Sequence, residues 1–100
     1  MLKGLIFSLV LVSSSFAHTA IMSCFDNGDN TITCEGGFSD GSSASGVTFK
    51  LLERGGKVIF ENRFSEDSDI TFEKPSGEFV AVFDAGEGHQ VHIFGSDIVE

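Results

Sequence analysis

Along most of the chain, apolar residues recur at every second position, which is the spacing that places them on one face of a β-strand. Val47, Phe49 and Leu51 alternate with polar residues, and the turn-forming segment 54–57 leads into the apolar residues 58–60. We expect these two segments to pair as a hairpin. After residue 18 no stretch repeats apolar residues at the spacing of a helix face, so the pattern predicts strands with almost no helix.

The stretch around which the other segments are organised is 78–94, which reads EFVAVFDAGEGHQVHIF. Its first part is apolar on both faces, and Val91 and Ile93 resume the alternation after a loop that contains two glycines. The predicted arrangement is therefore strand, loop, strand. It places His89 in the loop and His92 on the second strand, on the face opposite to Val91 and Ile93, which we expect to point into the core.

Two cysteines frame the first predicted hairpin. Residues 18–24 and 31–34 are predicted strands, and the Asn-Gly pair at 27–28 between them is the strongest hairpin signal in the chain. Cys24 and Cys34 occupy opposite positions of such a hairpin. We therefore expect a disulfide between them, which would stabilise the fold by about 2–3 kcal/mol.

Two other interpretations of this segment remain open. Residues 21–24 loosely resemble a lipobox that would attach lipid to Cys24, but the polar stretch before it and the loss of a partner for Cys34 argue against lipidation. The acidic residues Asp26 and Asp29 resemble the start of a calcium-binding loop, yet the distal glutamate that such loops require is missing. A tight turn is the favoured interpretation.

The other segments are predicted to be short strands and their connections. The Gly- and Ser-rich residues 36–46 are expected to form a flexible loop that crosses between sheets. Phe64 is an expected core residue, residues 70–72 form a short strand, and the tail 95–100 adds a last strand at an edge. About seven short strands in a chain of this size predict an all-β fold, a single antiparallel β-sandwich with one disulfide.

Residues 1–17 have the features of a secretory signal peptide. One lysine precedes an apolar run, and small residues lead to Ala17, after which cleavage is expected. The apolar run is too short to remain as a membrane anchor, so no direct membrane insertion is expected after cleavage. The β-sandwich domain would comprise residues 18–100, with His18 at its N-terminus, and the protein would be periplasmic or secreted.

Residues 18–100 carry five Lys/Arg and fifteen Asp/Glu, which leaves a net charge of −10. This charge disfavours nucleic acid and anionic membranes as partners, and it attracts cations. It also serves solubility, independently of any ligand. The aromatic residues are all phenylalanines, so they are expected to fill the core rather than to stack on bases or sugars.

Three segments resemble the transthyretin-like, carboxypeptidase-regulatory-like β-sandwich domains. They are residues 45–58 (SGVTFKLLERGGKV), 74–80 (KPSGEFV) and 84–89 (DAGEGH). Within that group the chain is similar to small bacterial periplasmic proteins that accompany nickel and cobalt uptake systems. The resemblance implies a sandwich fold, an association with metal through the Gly88-His89 pair, and a membrane transporter or another periplasmic protein as partner.

A histidine at the mature N-terminus can bind one metal ion through both its amino group and its Nδ1 atom. Together with a second histidine it forms a nitrogen site that suits Cu(II) or Ni(II). Cleavage as predicted gives His18 this role, and His89 is the favoured second ligand because a loop residue is free to turn. Asp84 and Glu87 are candidate oxygen ligands, or candidate hydrogen-bond partners of the ligating residues.

His92 completes the set of candidate metal ligands. On a regular strand it would lie about 10 Å from His89 and on the opposite face, so the two cannot share one site unless the strand begins after His89. His92 is therefore the weaker candidate. The predicted function is an exported module that binds a divalent metal: nickel, cobalt or copper.

The alternative is a structural or partner-docking sandwich without a metal role. Such a domain needs only exposed strand edges and loops. An enzyme is not expected, because the sequence contains no C-x-x-C, no H-E-x-x-H, no phosphate loop and no recognisable nucleophile motif. Asp84 and Glu87 could form an acid/base pair, but carboxylates in a Gly-rich loop more often cap turns or face solvent.

Overall fold

The structure, a computed structural model, describes residues 19–100. Seven strands and one short 3-10 helix make up the regular structure of this range: β1 (Ala20–Asp26), β2 (Thr31–Phe38), β3 (Thr48–Glu53), β4 (Val58–Arg63), β5 (Asp69–Glu73), β6 (Phe79–Asp84), β7 (Gln90–Phe94) and the 3-10 helix (Gly95–Asp97). The predicted all-β class is confirmed. The predicted signal peptide, residues 1–17, and His18 lie outside the described residues. Within the described range, no helix is long and apolar enough to cross a membrane.

The strands form two antiparallel sheets. One has three strands in the order β1-β2-β5, and the other has four in the order β4-β3-β6-β7. The predicted hairpin of residues 47–60 is the β3–β4 pair, and the predicted strand-loop-strand unit is the β6–β7 pair. The predicted antiparallel sandwich is thus confirmed.

A disulfide joins Cys24 of β1 to Cys34 of β2, as predicted, with the two Cα atoms 4.0 Å apart. The two residues are register partners. Residue pairs in an antiparallel ladder alternate between hydrogen-bonded and non-hydrogen-bonded pairs. The Ser39 N–H donates to the Thr19 oxygen just before β1, so the odd-numbered residues of β1 form the hydrogen-bonded pairs. Cys24 belongs to the other set of pairs, in which the Cα atoms approach most closely. The bridge also occupies the thiol that lipid attachment would need.

Phenylalanines dominate the core between the two sheets. Phe49 and Phe83 are fully buried, and Phe64, predicted as a core residue, is 3% exposed. The ring centroids of Phe49 in β3 and Phe72 in β5 lie 5.2 Å apart, across the space between the sheets. Val91 and Ile93 pack against this core from β7, as their alternation predicted.

The prediction of a flexible loop over residues 36–46 is wrong at its start and near its end. β2 continues through Gly36 to Phe38, and Ala44 is fully buried. Gly36 lies where β2 passes over Phe83, and a Cβ atom at this position would come within 2.7 Å of the ring. The glycine that suggested a loop is therefore required by close packing within a strand.

The C-terminal tail was predicted as an edge strand, and this prediction is also wrong. After the 3-10 helix, Ile98 turns into the core and is 9% exposed. The backbone oxygen of Val99 then accepts the N–H of Asp26 in β1 at 3.0 Å. The tail thus connects the four-stranded sheet to the three-stranded sheet. β4 is also longer than predicted, because its polar second half, residues 61–63, still pairs with β3.

Candidate functional site

The loop between β6 and β7 carries the histidine that the sequence favoured. Gly86 and Gly88 adopt φ angles of 111° and 81°, which residues with a side chain rarely adopt. The His89 N–H donates to the Gly86 oxygen, and the Ala85 N–H donates to the His89 oxygen. These bonds make the loop a compact turn that positions His89 just before β7 begins. Its predicted place in a loop is confirmed.

His89 is exposed at a shallow depression of about 280 Å³. Phe38, Ser42 and Ala85 also line this depression. Phe38 ends β2 in the three-stranded sheet, whereas Ala85 follows β6 in the four-stranded sheet. The depression therefore lies where loops of the two sheets meet, at one end of the sandwich.

Asp84 holds the loop in shape through both of its carboxylate oxygens. Its Oδ1 accepts from the Gly86 N–H at 3.0 Å and from Gln90 Nε2 at 3.1 Å, and its Oδ2 accepts from Lys50 Nζ at 3.2 Å. The Gly86 N–H and then the Lys50 ammonium hold the pKa of Asp84 below its usual value. Three of the roughly four acceptor sites of this carboxylate are thus occupied by partners within the protein.

His92 and Glu87 occupy different surroundings from His89. His92 is exposed on β7, and its Nε2 lies 3.3 Å from Gln90 Oε1, so Gln90 links His92 to Asp84. Glu87 is exposed in the turn of the loop. His92 and Gln90 share the exposed face of β7, as the alternation predicted.

Within residues 19–100, no group of three or more His, Cys, Asp and Glu side chains is arranged so that it could hold a metal ion. His18, which the sequence makes the first ligand, precedes this range. The set of His18, His89, Asp84, Glu87 and His92 therefore stays a prediction. The structure does show where Thr19, the first described residue, lies relative to His89.

β1 begins beside the depression that His89 lines. The Thr19 N–H donates to Ser39 Oγ at 3.0 Å, and the Ser39 N–H donates to the Thr19 oxygen at 2.8 Å. Ser39 directly follows Phe38, which shares the depression with His89. The sequence did not reveal this proximity, because Ser39 belongs to the segment that was predicted to be a flexible loop.

The turn between β1 and β2 uses its acidic residues as hydrogen-bond acceptors. Asp26 accepts from the Gly28 N–H and from Lys74 Nζ, both at 2.8 Å, and Asp29 Oδ1 accepts from the N–H and hydroxyl of Thr31. The Lys74 ammonium and then the Gly28 N–H lower the pKa of Asp26. These contacts are those of a tight turn and support that interpretation over a calcium-binding loop.

Comparisons with protein-family models, with curated proteins and with solved structures find no match for this chain. The class that the structure defines is a small all-β domain of two antiparallel sheets with a disulfide between β1 and β2. The resemblance to transthyretin-like sandwich domains stays a prediction.

Proposed function

We propose that the protein is an exported module that binds a divalent transition metal, copper, nickel or cobalt. The amino group and imidazole of His18 and the imidazole of His89 are the proposed ligands. The observation that carries the proposal is the pairing of Thr19 with Ser39, which places the start of the described chain beside the depression of His89.

Covalent geometry supports this pairing of ligands. Consecutive Cα atoms are about 3.8 Å apart, so residue 18 is held close to Thr19 by the chain itself. Thr19 is in turn bonded to Ser39, one residue from the wall of the depression. The amine and imidazole of His18 and the imidazole of His89 would together offer one ion three nitrogen ligands, and such ligands suit Cu(II) and Ni(II).

Charge and loop structure support the proposal further. The net charge of residues 18–100 favours the approach of a cation, and the exposed Glu87 offers an oxygen on the same loop as His89. Asp84 serves this site indirectly, because its bonds to Gly86, Gln90 and Lys50 fix the loop. The disulfide between Cys24 and Cys34 is the kind of bond that persists in an exported protein.

The free amino group of His18 is the feature that the first experiment tests. We expect one additional methionine before His18 to weaken binding of Cu(II) or Ni(II) roughly tenfold or more, where each factor of ten corresponds to about 1.4 kcal/mol. The extra residue moves the amino group away from the chelate and leaves the described sandwich unchanged. Titration calorimetry of the processed and the methionine-extended forms measures the difference.

The two histidines of the described chain provide a matched comparison in the same titration. His89→Ala should lose a large part of the affinity, whereas His92→Ala, which removes an exposed imidazole from β7, should lose little. Equal affinity of the processed and the methionine-extended forms would contradict the proposal. So would mass spectrometry of the exported protein that shows a mature N-terminus other than His18.

A further inference from the structure

The two sheets differ by one strand, and the missing strand leaves one edge of the described sandwich open. Phe38 of β2 packs on Phe83 of β6, with ring centroids 5.6 Å apart, and Phe72 of β5 packs on Phe49 of β3. β1 contacts β7 at the other side. Phe72 also packs on Phe60 of β4, with ring centroids 6.1 Å apart, so β5 reaches the near part of β4. Within residues 19–100, no further strand of the smaller sheet lies beyond β5 to cover the remainder of β4.

A cleft of about 790 Å³ occupies this place. Its apolar wall includes Ile59 and Phe60 of β4 and Phe72 of β5, and its rim includes Glu73. The register of the β3–β4 pair shifts at Ile59, which has no partner in β3, and this residue is 42% exposed. An exposed apolar side chain therefore lies along the edge where the fourth strand of the smaller sheet would lie, although the core residue Phe72 beside it is only 5% exposed.

β5 offers unpaired backbone groups along the same cleft. The Lys74 N–H donates to the Asn30 oxygen, so the hydrogen-bonded pairs of the β2–β5 ladder fall at even-numbered residues of β5. The backbone groups of Thr71 and Glu73 therefore point away from β2. Within the part of the chain that the structure describes, neither residue has a backbone partner at this free edge.

The charge beside this edge is negative. The outward side chains of β5 are those of Asp69, Thr71 and Glu73, and Glu66 and Asp67 precede the strand. Four of the five described Lys/Arg residues belong to the four-stranded sheet or its turns: Lys50, Arg54, Lys57 and Arg63. The fifth, Lys74, lies at the rim of the cleft, but its ammonium pairs with the Asp26 carboxylate at 2.8 Å.

We propose that β5 and the cleft accept an extended segment of a partner protein in which apolar residues alternate with Lys or Arg. The segment would add to Thr71 and Glu73 as a fourth strand of the smaller sheet. Its apolar side chains would enter the cleft over Phe60, and its cations would lie on the outer face beside Glu73. This inference is independent of the proposed metal site.

The probe for this surface is a capped octapeptide of alternating Lys and Val. We expect it to bind the full processed protein and to slow hydrogen exchange of the Thr71 and Glu73 amides by about tenfold or more, because a new ladder protects these groups. An octapeptide of alternating Glu and Val should not bind, because its carboxylates would face those of β5. Nuclear magnetic resonance measures both the binding and the exchange.

Two matched pairs of substitutions locate the contact. Ile59→Ser and Glu73→Lys should each weaken peptide binding about tenfold. Ile21→Ser makes the same apolar change at an exposed residue of β1, and Glu87→Lys makes the same charge change in the β6–β7 loop, so both should bind like the parent. All four sites are exposed, and unfolding curves will verify that each variant folds.

Three results would overturn the inference. If Glu87→Lys weakens binding as much as Glu73→Lys, or if the Thr71 and Glu73 amides are not protected, the peptide is held by general electrostatic attraction rather than at β5. If these amides become protected without peptide as the protein concentration rises, and sedimentation shows a dimer, then a second copy of the chain occupies the edge.

Discussion

At the scale of single residues, the carboxylate of Asp84 organises the loop that presents His89. One oxygen accepts the Gly86 N–H two residues ahead, which is the local bond that favours aspartate at the start of a turn. The other accepts Lys50 from β3, so the loop is also tied to the neighbouring strand. One side chain thus sets both the shape of the loop and its attachment to the sheet.

The hydrogen bonds of Asp84 predict that the folded protein loses stability in acid. Because the pKa of Asp84 in the folded protein is below its ordinary value of 3.8, the stabilisation is present above that value and is lost as the pH falls through the lowered pKa. Asp84→Asn removes the charge, so it should cost about 1 kcal/mol of unfolding free energy at neutral pH. The variant should also lose less stability on acidification than the parent does.

Denaturant unfolding at a series of pH values from neutral downwards measures this. The control is Glu87→Gln, an exposed carboxylate of the same loop, which should change neutral-pH stability by no more than about 0.5 kcal/mol. Equal stability of Asp84→Asn and the parent at neutral pH would show that the charge of Asp84 contributes nothing measurable.

At the scale of elements, β2 and β6 approach closely because a glycine faces a phenylalanine. Gly36 has no side chain, and the Phe83 ring occupies the space where a Cβ atom would lie. The adjacent Gly37 is different, since a Cβ atom there would meet only the Ser42 backbone oxygen, at an ordinary distance of 3.7 Å. Two neighbouring glycines of one strand therefore have unequal importance for packing between the sheets.

Substitution of each glycine by alanine tests this difference. Gly36→Ala should destabilise the protein by about 1–3 kcal/mol, because the added methyl group forces Phe83 or the strand to move. Gly37→Ala should leave stability unchanged or raise it by up to about 1 kcal/mol, because glycine is the weaker strand residue. Denaturant unfolding of the pair provides the measurement, and a harmless Gly36→Ala would contradict the close packing.

At the scale of the whole molecule, the described sandwich is closed on one side and open on the other. The tail closes the side of β1 and β7, where Ile98 enters the core and the Val99 oxygen bonds to β1. The opposite side, between β4 and β5, contains the cleft of about 790 Å³. The tail thus links the two sheets on one side of the sandwich, whereas the cleft separates them on the other.

The closure by the tail should contribute measurably to stability. Ile98→Ala should cost about 2–4 kcal/mol, because it leaves a cavity between the sheets. Val99→Ala is the control, since its side chain is 69% exposed and its bond to Asp26 uses only the backbone, so it should cost no more than about 0.5 kcal/mol. Thermal unfolding compares the two, and equal effects would mean that the tail does not pack as described.

Much of the fold could be predicted from the sequence, because strands and tight turns depend on residues that are near one another in the chain. The alternation through Val47, Phe49 and Leu51 predicted β3, and the symmetric cysteines around an Asn-Gly turn predicted the disulfide. The same local reasoning placed His89 in a loop and His92 on the exposed face of β7.

What only the tertiary structure decided depends on residues that are distant in the chain. Position 36 of β2 requires glycine because the Phe83 ring packs against it, and Ile98 is buried because it enters the space between the two sheets. For the candidate site, the bond from Lys50 to Asp84 and the start of β1 beside the depression of His89 could not be predicted either. Such contacts have no local signature, because they arise only when the two sheets pack together.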